Sequence, residues 1–499
     1  MEEKKKYELE FRGSYLFALI PLILFVLGCI LFFVVFKTYN MMDLCTGGFA
    51  ALMIGSLFSK KWAVYWKAVV TGMQSRLVAE LTAILLLVGM FGKLMTRGGV
   101  AQGFVWLGDK LGLQGGMFTG FAFVATCIIA TATGTSIGTL FTAFPILYPS
   151  GLLLGAHPAF LAGAILSGAI FGDNVGPVSD TTIVSAQTQQ YMNKDGFADI
   201  AGVVGSRMKY AFAAAIPALI IFCIFGGAKG TGLSAADGAA LLEANSDPKG
   251  LIMLIPVAIL LFTAFKTRSI YIAATWGILS GTAIGLVSGI IVPADIMSVQ
   301  DGALQGFLSD GVNNMIGTVG YNYAVAGIVG VLTASGFLDK VINALTNSKL
   351  NQTVPGTEWI CGIGLMISSI VLGSANGPAI LMYGPIAADI SSKKKLHPYR
   401  RANLLDGFGS GLPVLVPVTS AFIFICISCV NGLMEEFSFV PALNPINLAA
   451  HTWHCILLFV VFAAAVVTGW GRAFEGPNGE VMKGKTYEEA LEKFEAAQK

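Results

Sequence analysis

The sequence predicts an all-α polytopic membrane protein of two inverted repeats. Each repeat holds five crossings and one re-entrant hairpin, with broken helices at the midplane. Three observations lead there. Only 12% of the 499 residues are Asp, Glu, Lys or Arg, against about 25% in soluble globular chains. Hydrophobic residues make up 55%, with 60 glycines and 34 phenylalanines. Apolar runs follow one another closely, and some are interrupted by Gly and Pro. Such a composition excludes a disordered chain and a soluble enzyme. A net charge of +2, with no concentrated basic face, excludes a nucleic-acid partner.

The runs lie at 14–36, 42–58, 77–95, 113–133, 137–154, 158–190, 209–227, 250–266, 270–292, 315–338, 357–373, 378–391, 399–433 and 451–470. The first is 23 residues long, beyond the roughly 7–15 of a signal core and enough to span a bilayer. The eight cysteines sit in or beside apolar runs, without the spacing of a disulfide framework. Cys426 and Cys429 lie inside one run and read as small buried thiols. Runs 158–190 and 399–433 are too long for one simple span, whereas 137–154 and 378–391 are short and follow Gly-rich breaks. Short or broken segments at corresponding places in two halves point to a transporter binding site.

A shift of 240 residues lays 134–181 on 374–421 without a gap. Pro145 then meets Pro385, His157-Pro158 meets His397-Pro398, and Pro177-Val178 meets Pro417-Val418. Ser136 meets Asn376 and Ser179 meets Thr419. Three of the four prolines in the first copy land on prolines, the residues that set backbone geometry.

Charge placement agrees. If 113–154 and 357–391 enter and leave on one side, each half has an odd number of crossings, and the second half is inverted. With the N-terminus in the cytoplasm, 25 of the 31 Lys and Arg then face inward, Arg207, Arg400 and Arg401 among them. This is the positive-inside bias. The expected division is a cytoplasmic N-terminus at 1–13, repeat 1 at 14–227, an external linker at 228–249, repeat 2 at 250–470 and a cytoplasmic tail at 471–499. The tail reads as solvated, with an amphipathic helix near 486–498. The setting is the plasma membrane, with both termini inside.

The chemistry concentrates at the breaks. The first copy reads Thr131-Ala-Thr-Gly-Thr-Ser-Ile-Gly-Thr139 at its turn and Phe171-Gly-Asp-Asn-Val-Gly-Pro-Val-Ser-Asp-Thr-Thr182 in its broken helix. The second reads Gly373-Ser-Ala-Asn-Gly-Pro378 and Asp406-Gly-Phe-Gly-Ser-Gly-Leu-Pro-Val-Leu-Val-Pro-Val-Thr-Ser420. Non-helical backbone at membrane depth must be buried in protein or line a cavity. Its freed carbonyls can ligate a cation, and half-helix N-termini can hold an anion. Asp173 and Asp180 are ionisable groups within a span, hence functional candidates.

Asp180 with Ser179, Thr181, Ser136 and carbonyls near Gly134 forms an oxygen-rich set suited to sodium. A carboxylate in low dielectric also takes up protons readily. One group that holds sodium or a proton, but not both, gives antiport. Asp173 can also cap a half-helix. Asp406 reads as an interfacial ion-pair partner near Arg400 and Arg401. Asn376, Thr419 and half-helix N-termini can instead hold a substrate carboxylate, with sodium or protons driving uptake of a small organic or amino acid. A passive channel is the third reading. His157 and His397 precede Pro at hairpin bases and read as turn residues; His451 and His454 read as interfacial. No nucleotide-binding loop or H-E-x-x-H motif occurs, so neither ATP-driven transport nor metalloprotease chemistry is expected, and no cofactor.

Gly172-Asp173-x-x-x-Pro177-x-Ser179-Asp180-Thr181-Thr182 resembles the signature of the NhaC-type sodium/proton antiporters, and Thr133-Gly-Thr135-Ser136 fits the same pattern. The resemblance covers most of the chain. It implies inverted repeats with re-entrant hairpins, transport driven by ion gradients, small ions or small molecules as cargo, and assembly as homodimers. The wider group includes malate/lactate exchangers. This chain departs from the signature at Asn174 and Gly176, where a Lys and a Ser are expected, and so loses a hydroxyl at the break.

Overall fold

The structure, a computed structural model, describes residues 9–36, 38, 41–177, 179–227, 246–267, 269–300 and 302–498. The first eight residues, Val178, most of the linker at 228–249, Lys37, Arg268 and Lys499 lie outside the described residues, as do the side chains of Arg76 and Asp180.

Among the described residues the chain is all-α apart from two small antiparallel hairpins. Helices α1 (Ile20–Ile30), α2 (Met41–Ser56) and α3 (Trp62–Met73) lead into α4 (Arg76–Arg97). α4 bends by 56° into α5 (Val100–Lys110), where Gly99 adopts a φ of 72°. α6 (Gly115–Thr133) and α7 (Ser136–Leu153) form a hairpin, followed by α8 (Pro158–Val175), α9 (Asp180–Gln187) and α10 (Ile200–Phe225). The second half opens with α11 (Leu254–Thr267), α12 (Ile270–Ser288), α13 (Pro293–Ile296) and the hairpin of β1 (Ser298–Gln300) and β2 (Ala303–Gln305). α14 (Phe307–Ala334) turns at Gly336, φ 70°, into α15 (Phe337–Thr346). α16 (Val354–Val371) and α17 (Asn376–Ser392) form the second hairpin, followed by α18 (Pro398–Gly409) and α19 (Ala421–Glu436). α20 (Pro445–His451), α21 (Trp453–Thr468), β3 (Ala473–Glu475), β4 (Val481–Lys483) and α22 (Tyr487–Gln498) close the chain.

Among the described residues, six helices are long and apolar enough to cross a membrane, or up to eight when each bent pair counts as one span. Two of the six, α7 and α8, have 83% of their apolar window buried inside the protein, so protein and not lipid surrounds them. α8 packs on α6 with its glycines inward: a Cβ on Gly172 would lie 2.3 Å from Ala130 Cβ. Close backbone approach by small residues is how helices associate where water cannot drive them together.

Local chemistry sets the element ends. Gly134 and Gly373, φ 67° and 69°, supply the left-handed turn at the two hairpin tips. Ser374 follows at φ 66°, a strained value for a residue with a Cβ. Its hydroxyl bond to the Pro413 carbonyl holds it there, at 2.5 Å. Pro158 and Pro398 occupy the first turns of α8 and α18, where the missing N–H costs nothing. At the two hairpin bases His157 N–H donates to the Gly226 carbonyl at 2.8 Å, and His397 N–H donates to the Ala473 carbonyl at 2.9 Å. Their turn role is what the X-Pro pattern suggested. His454 departs from its interfacial reading, being fully buried on α21 with Phe123 and Phe171 beside its ring.

Three cations counted as cytoplasmic markers are interior groups: Arg207, Arg400 and Arg401 are 0%, 2% and 1% exposed. α10 begins at Ile200 under the Asp199 cap, ahead of the run read at 209, which draws Arg207 inside. Arg400 pairs with Glu358 at 2.8 Å. The tail also differs from its solvated reading. Arg472 reaches Glu358 at 2.7 Å. Glu475 accepts the N–H groups of Met192 and Asn193, each at 2.8 Å. Leu396, Phe474, Met482 and Ala490 share one buried apolar cluster, so the tail docks on the second hairpin base.

Candidate functional site

The first helix break carries a carboxylate surrounded by hydroxyls. α8 stops at Val175 and α9 starts at Asp180, with Gly176 and Pro177 between. Asp173 lies in the last turn of α8. Ser136, the first residue of α7, donates to its Oδ2 at 2.8 Å. Ser179 donates to its Oδ1 at 2.5 Å. The hairpin tip is thereby tied to both sides of the break. Asp173 sits at the carbonyl end of α8, where the helix dipole disfavours a negative charge and favours a cation or a proton.

The second break repeats the motif with different residues. Asn376, the first residue of α17, donates to Asp406 Oδ1 at 2.8 Å. Asp406 lies on α18 and is fully buried. Its other oxygen forms an ion pair with Arg207 of α10. Arg207 also donates to the Asn174 carbonyl at 2.6 Å, to Asn403 Oδ1 at 2.9 Å, to Thr182 Oγ1 at 3.1 Å and to Ser185 Oγ at 3.2 Å. Asp406 is therefore no interfacial partner of Arg400 and Arg401. Those face away, Arg400 toward Glu358 and Arg401 toward Glu475 and the Gln190 carbonyl.

Arg207 links the two clusters: it pairs with Asp406 and donates to the Asn174 carbonyl at the first break. At the first break Ser179 Oγ and Thr181 Oγ1 also lie 3.0 Å apart. Both hairpin tips thus bond carboxylates at the breaks that Arg207 joins.

A cavity of about 580 Å³ adjoins the second tip. α3 supplies Lys67 and Thr71, α14 supplies Tyr321, Asn322 and Val325, and Gly373, Ala375 and Thr419 close its inner end. Thr419 Oγ1 is buried and finds no partner among the described residues, and the same holds for Asn376 Oδ1. α17 begins beside them with Ala375 at its N-cap, a side chain that cannot cap.

Residues 12–226 match the model of the Na+/H+ antiporter family. That match spans the first half of the chain. It is 27% identical to a malate-2H(+)/Na(+)-lactate antiporter of Bacillus subtilis, over 77% of this chain and 82% of the relative. It is 24% identical to the Na(+)/H(+) antiporter NhaC of Alkalihalophilus pseudofirmus, over 74% and 81%. It is 22% identical to the arginine/ornithine antiporter ArcD of Halobacterium salinarum, over 77% and 81%.

Asp173, Ser136, Ser179 and Thr181 gather at the first break and Asn376 at the second. Asp180 opens α9, but its side chain lies outside the described residues. Thr135 caps α7, accepting the Gly138 N–H at 3.4 Å, and Gly134 shapes the turn. Asn174 contributes its carbonyl to Arg207, while its buried amide finds no partner among the described residues. Thr419 lines the cavity. Arg207, Thr182, Ser185, Asn403 and Ser410 were not read as site residues. The signal for Arg207 was available: an arginine three residues after Val203-Val204 and at the edge of an apolar run is too costly in a membrane to lack a partner.

Proposed function

We propose that this chain is a sodium/proton antiporter working by alternating access, with Asp173 and Asp180 as the carboxylates at which sodium and protons exclude one another. The carrying observation is Asp173 at the carbonyl end of a half-helix with the Ser136 and Ser179 hydroxyls on its two oxygens. Half-helix carbonyl ends and unwound backbone are where secondary transporters coordinate sodium or protons. Ser136, Ser179, Thr181 and carbonyls near Gly134 complete an oxygen-only set.

In this reading the halves 14–227 and 250–470 are inverted repeats with hairpins at 113–154 and 357–391. Support comes from matching devices a repeat apart: glycine turns before α5 and α15, left-handed tips at Gly134 and Gly373, and His-Pro hairpin bases. The protein sits in the plasma membrane with both termini cytoplasmic, and the family resemblance supports a homodimer. The test is sodium-driven proton movement in proteoliposomes. Asp173→Asn and Asp180→Asn should each abolish it. Retention of exchange by both variants sinks the assignment.

The cavity favours a second reading. About 580 Å³ is far more room than one ion needs, and the malate/lactate and arginine/ornithine relatives carry organic cargo by name. Here a substrate carboxylate sits at the N-terminus of α17 against Thr419, and sodium or protons drive it. Uptake of labelled small acids, with and without sodium, separates the two readings.

A further inference from the structure

The large cavity lies at one end of α4 and α14, and a cluster of ion pairs ties their other end. Ser75 and Val78, where α4 begins, and Thr333 and Ala334, where α14 ends, lie at the cavity. Lys93 and Arg97, at the far end of α4, face the start of α14. Ser75 and Lys93 are 18 residues apart in sequence, about 27 Å along a helix.

Lys93 is only 5% exposed. Its ammonium donates to the Gly432 carbonyl at 3.2 Å, to Glu435 Oε2 at 3.0 Å and to Glu436 Oε1 at 3.3 Å. All three donors are used, and all three acceptors lie in the last turn of α19. One turn further out, Arg97 holds Asp295 at 3.2 Å and Asp310 at 2.8 Å. Beneath Lys93 lies a void of about 30 Å³ lined by Phe141 and Pro145 of the first hairpin, Asn314 and Met315 of α14, and Cys429 of α19. It stands beside the first hairpin as the 580 Å³ cavity stands beside the second.

α19 links the two ends. Its N-terminus follows Thr419 and Ser420 at the large cavity, and its C-terminus is held by Lys93. A rigid helix cannot move at one end alone. We propose that Lys93 is a gate residue: its bonds clasp α4 to the last turn of α19 beside the small void, opposite the large cavity, and they must break for the site to change sides. The proposal rests on the alternating-access reading, but needs neither the cargo nor the coupling ion to be known. Lys93 is a positioning residue. A merely structural lysine would cap α19 by the same contacts, so the test must read sidedness.

The probe is a membrane-impermeant maleimide on full-length protein, with labelled sites mapped by mass spectrometry. Ser75→Cys reports the large cavity and Thr96→Cys, at a buried position, the small void. With Lys93 in place, Ser75→Cys should label fast and Thr96→Cys slowly. Adding Lys93→Met should raise Thr96→Cys labelling about tenfold or more and slow Ser75→Cys, a shift in population. Lys93→Arg should restore the native ratio. A Glu435→Gln/Glu436→Gln pair, at the edge of the helix, gives the same readout if Lys93→Met fails to fold. Unchanged labelling ratios in folded Lys93→Met, or in the glutamine pair, would overturn the proposal. If labelling shifts while sodium-driven proton movement was never present, the gate stands and the coupling assignment falls.

Discussion

Arg207 and Asp406 form an ion pair that joins the two helix breaks: Arg207 also donates to the Asn174 carbonyl, next to Asp173, at 2.6 Å. Ser179 donates to Asp173, and its Oγ lies 3.0 Å from Thr181 Oγ1. A rearrangement of the first break therefore bears on the Arg207–Asp406 pair at the second. That is a direct route for one hairpin tip to sense the other.

Ser179 is the first place to test it. Ser179→Ala removes a hydroxyl bonded to a carboxylate, a contact worth about 1.5–3 kcal/mol. The sodium KM of exchange should rise roughly tenfold or more, and thermal stability should fall by a comparable energy. An unchanged KM would show that the hydroxyl does not face the ion.

Arg207 balances Asp406 without solvent, since both side chains are fully buried. Arg207→Met leaves a buried carboxylate unpaired, which costs on the order of 3–5 kcal/mol. Thermal unfolding in detergent should fall sharply. The double variant Arg207→Met/Asp406→Leu should recover much of the loss, because an apolar pair carries no desolvation penalty.

Gly409 faces the second tip. A Cβ there would lie 1.9 Å from Asn376 Oδ1, closer than any real contact. Gly409→Ala should push Asn376 off Asp406 and lower turnover at least about tenfold, with an overpacking cost of about 1–3 kcal/mol. Gly205, with nothing near its Cβ position, is the control: Gly205→Ala should exchange normally.

His397 makes tail docking acid-sensitive. Burial between Tyr191, Tyr399 and the tail pushes its imidazole down to about 4, against 6.5 when exposed. Protonation then favours the unfolded chain. Its contribution is intact above 6.5 and is lost progressively as pH falls toward 4. His397→Gln should flatten the fall in melting temperature over that window. An unchanged slope would assign the acid sensitivity elsewhere.

Much of the site was legible. Ser136 and Asn376 were paired by the 240-residue shift, and each opens a return helix and meets a carboxylate. That worked because Gly, Pro and the residue after the turn act locally, within one hairpin. Asp406 was misread because Arg400 and Arg401 are its neighbours in sequence; on a helix, residues five and six before it point elsewhere. Arg207 was missed because the span was started too late, which moved a buried cation into a loop.

The sequence by itself determined the membrane class, the two breaks and the hairpin tips, because these follow from composition, from left-handed glycines and from prolines without an N–H. Only the tertiary structure decided which carboxylate each tip meets, that Arg207 crosses between halves, that the tail docks, and which end is held by Lys93. Those pairings join residues 30 to about 340 positions apart, and no local preference specifies them. They arise where buried charges have no water and must find one another.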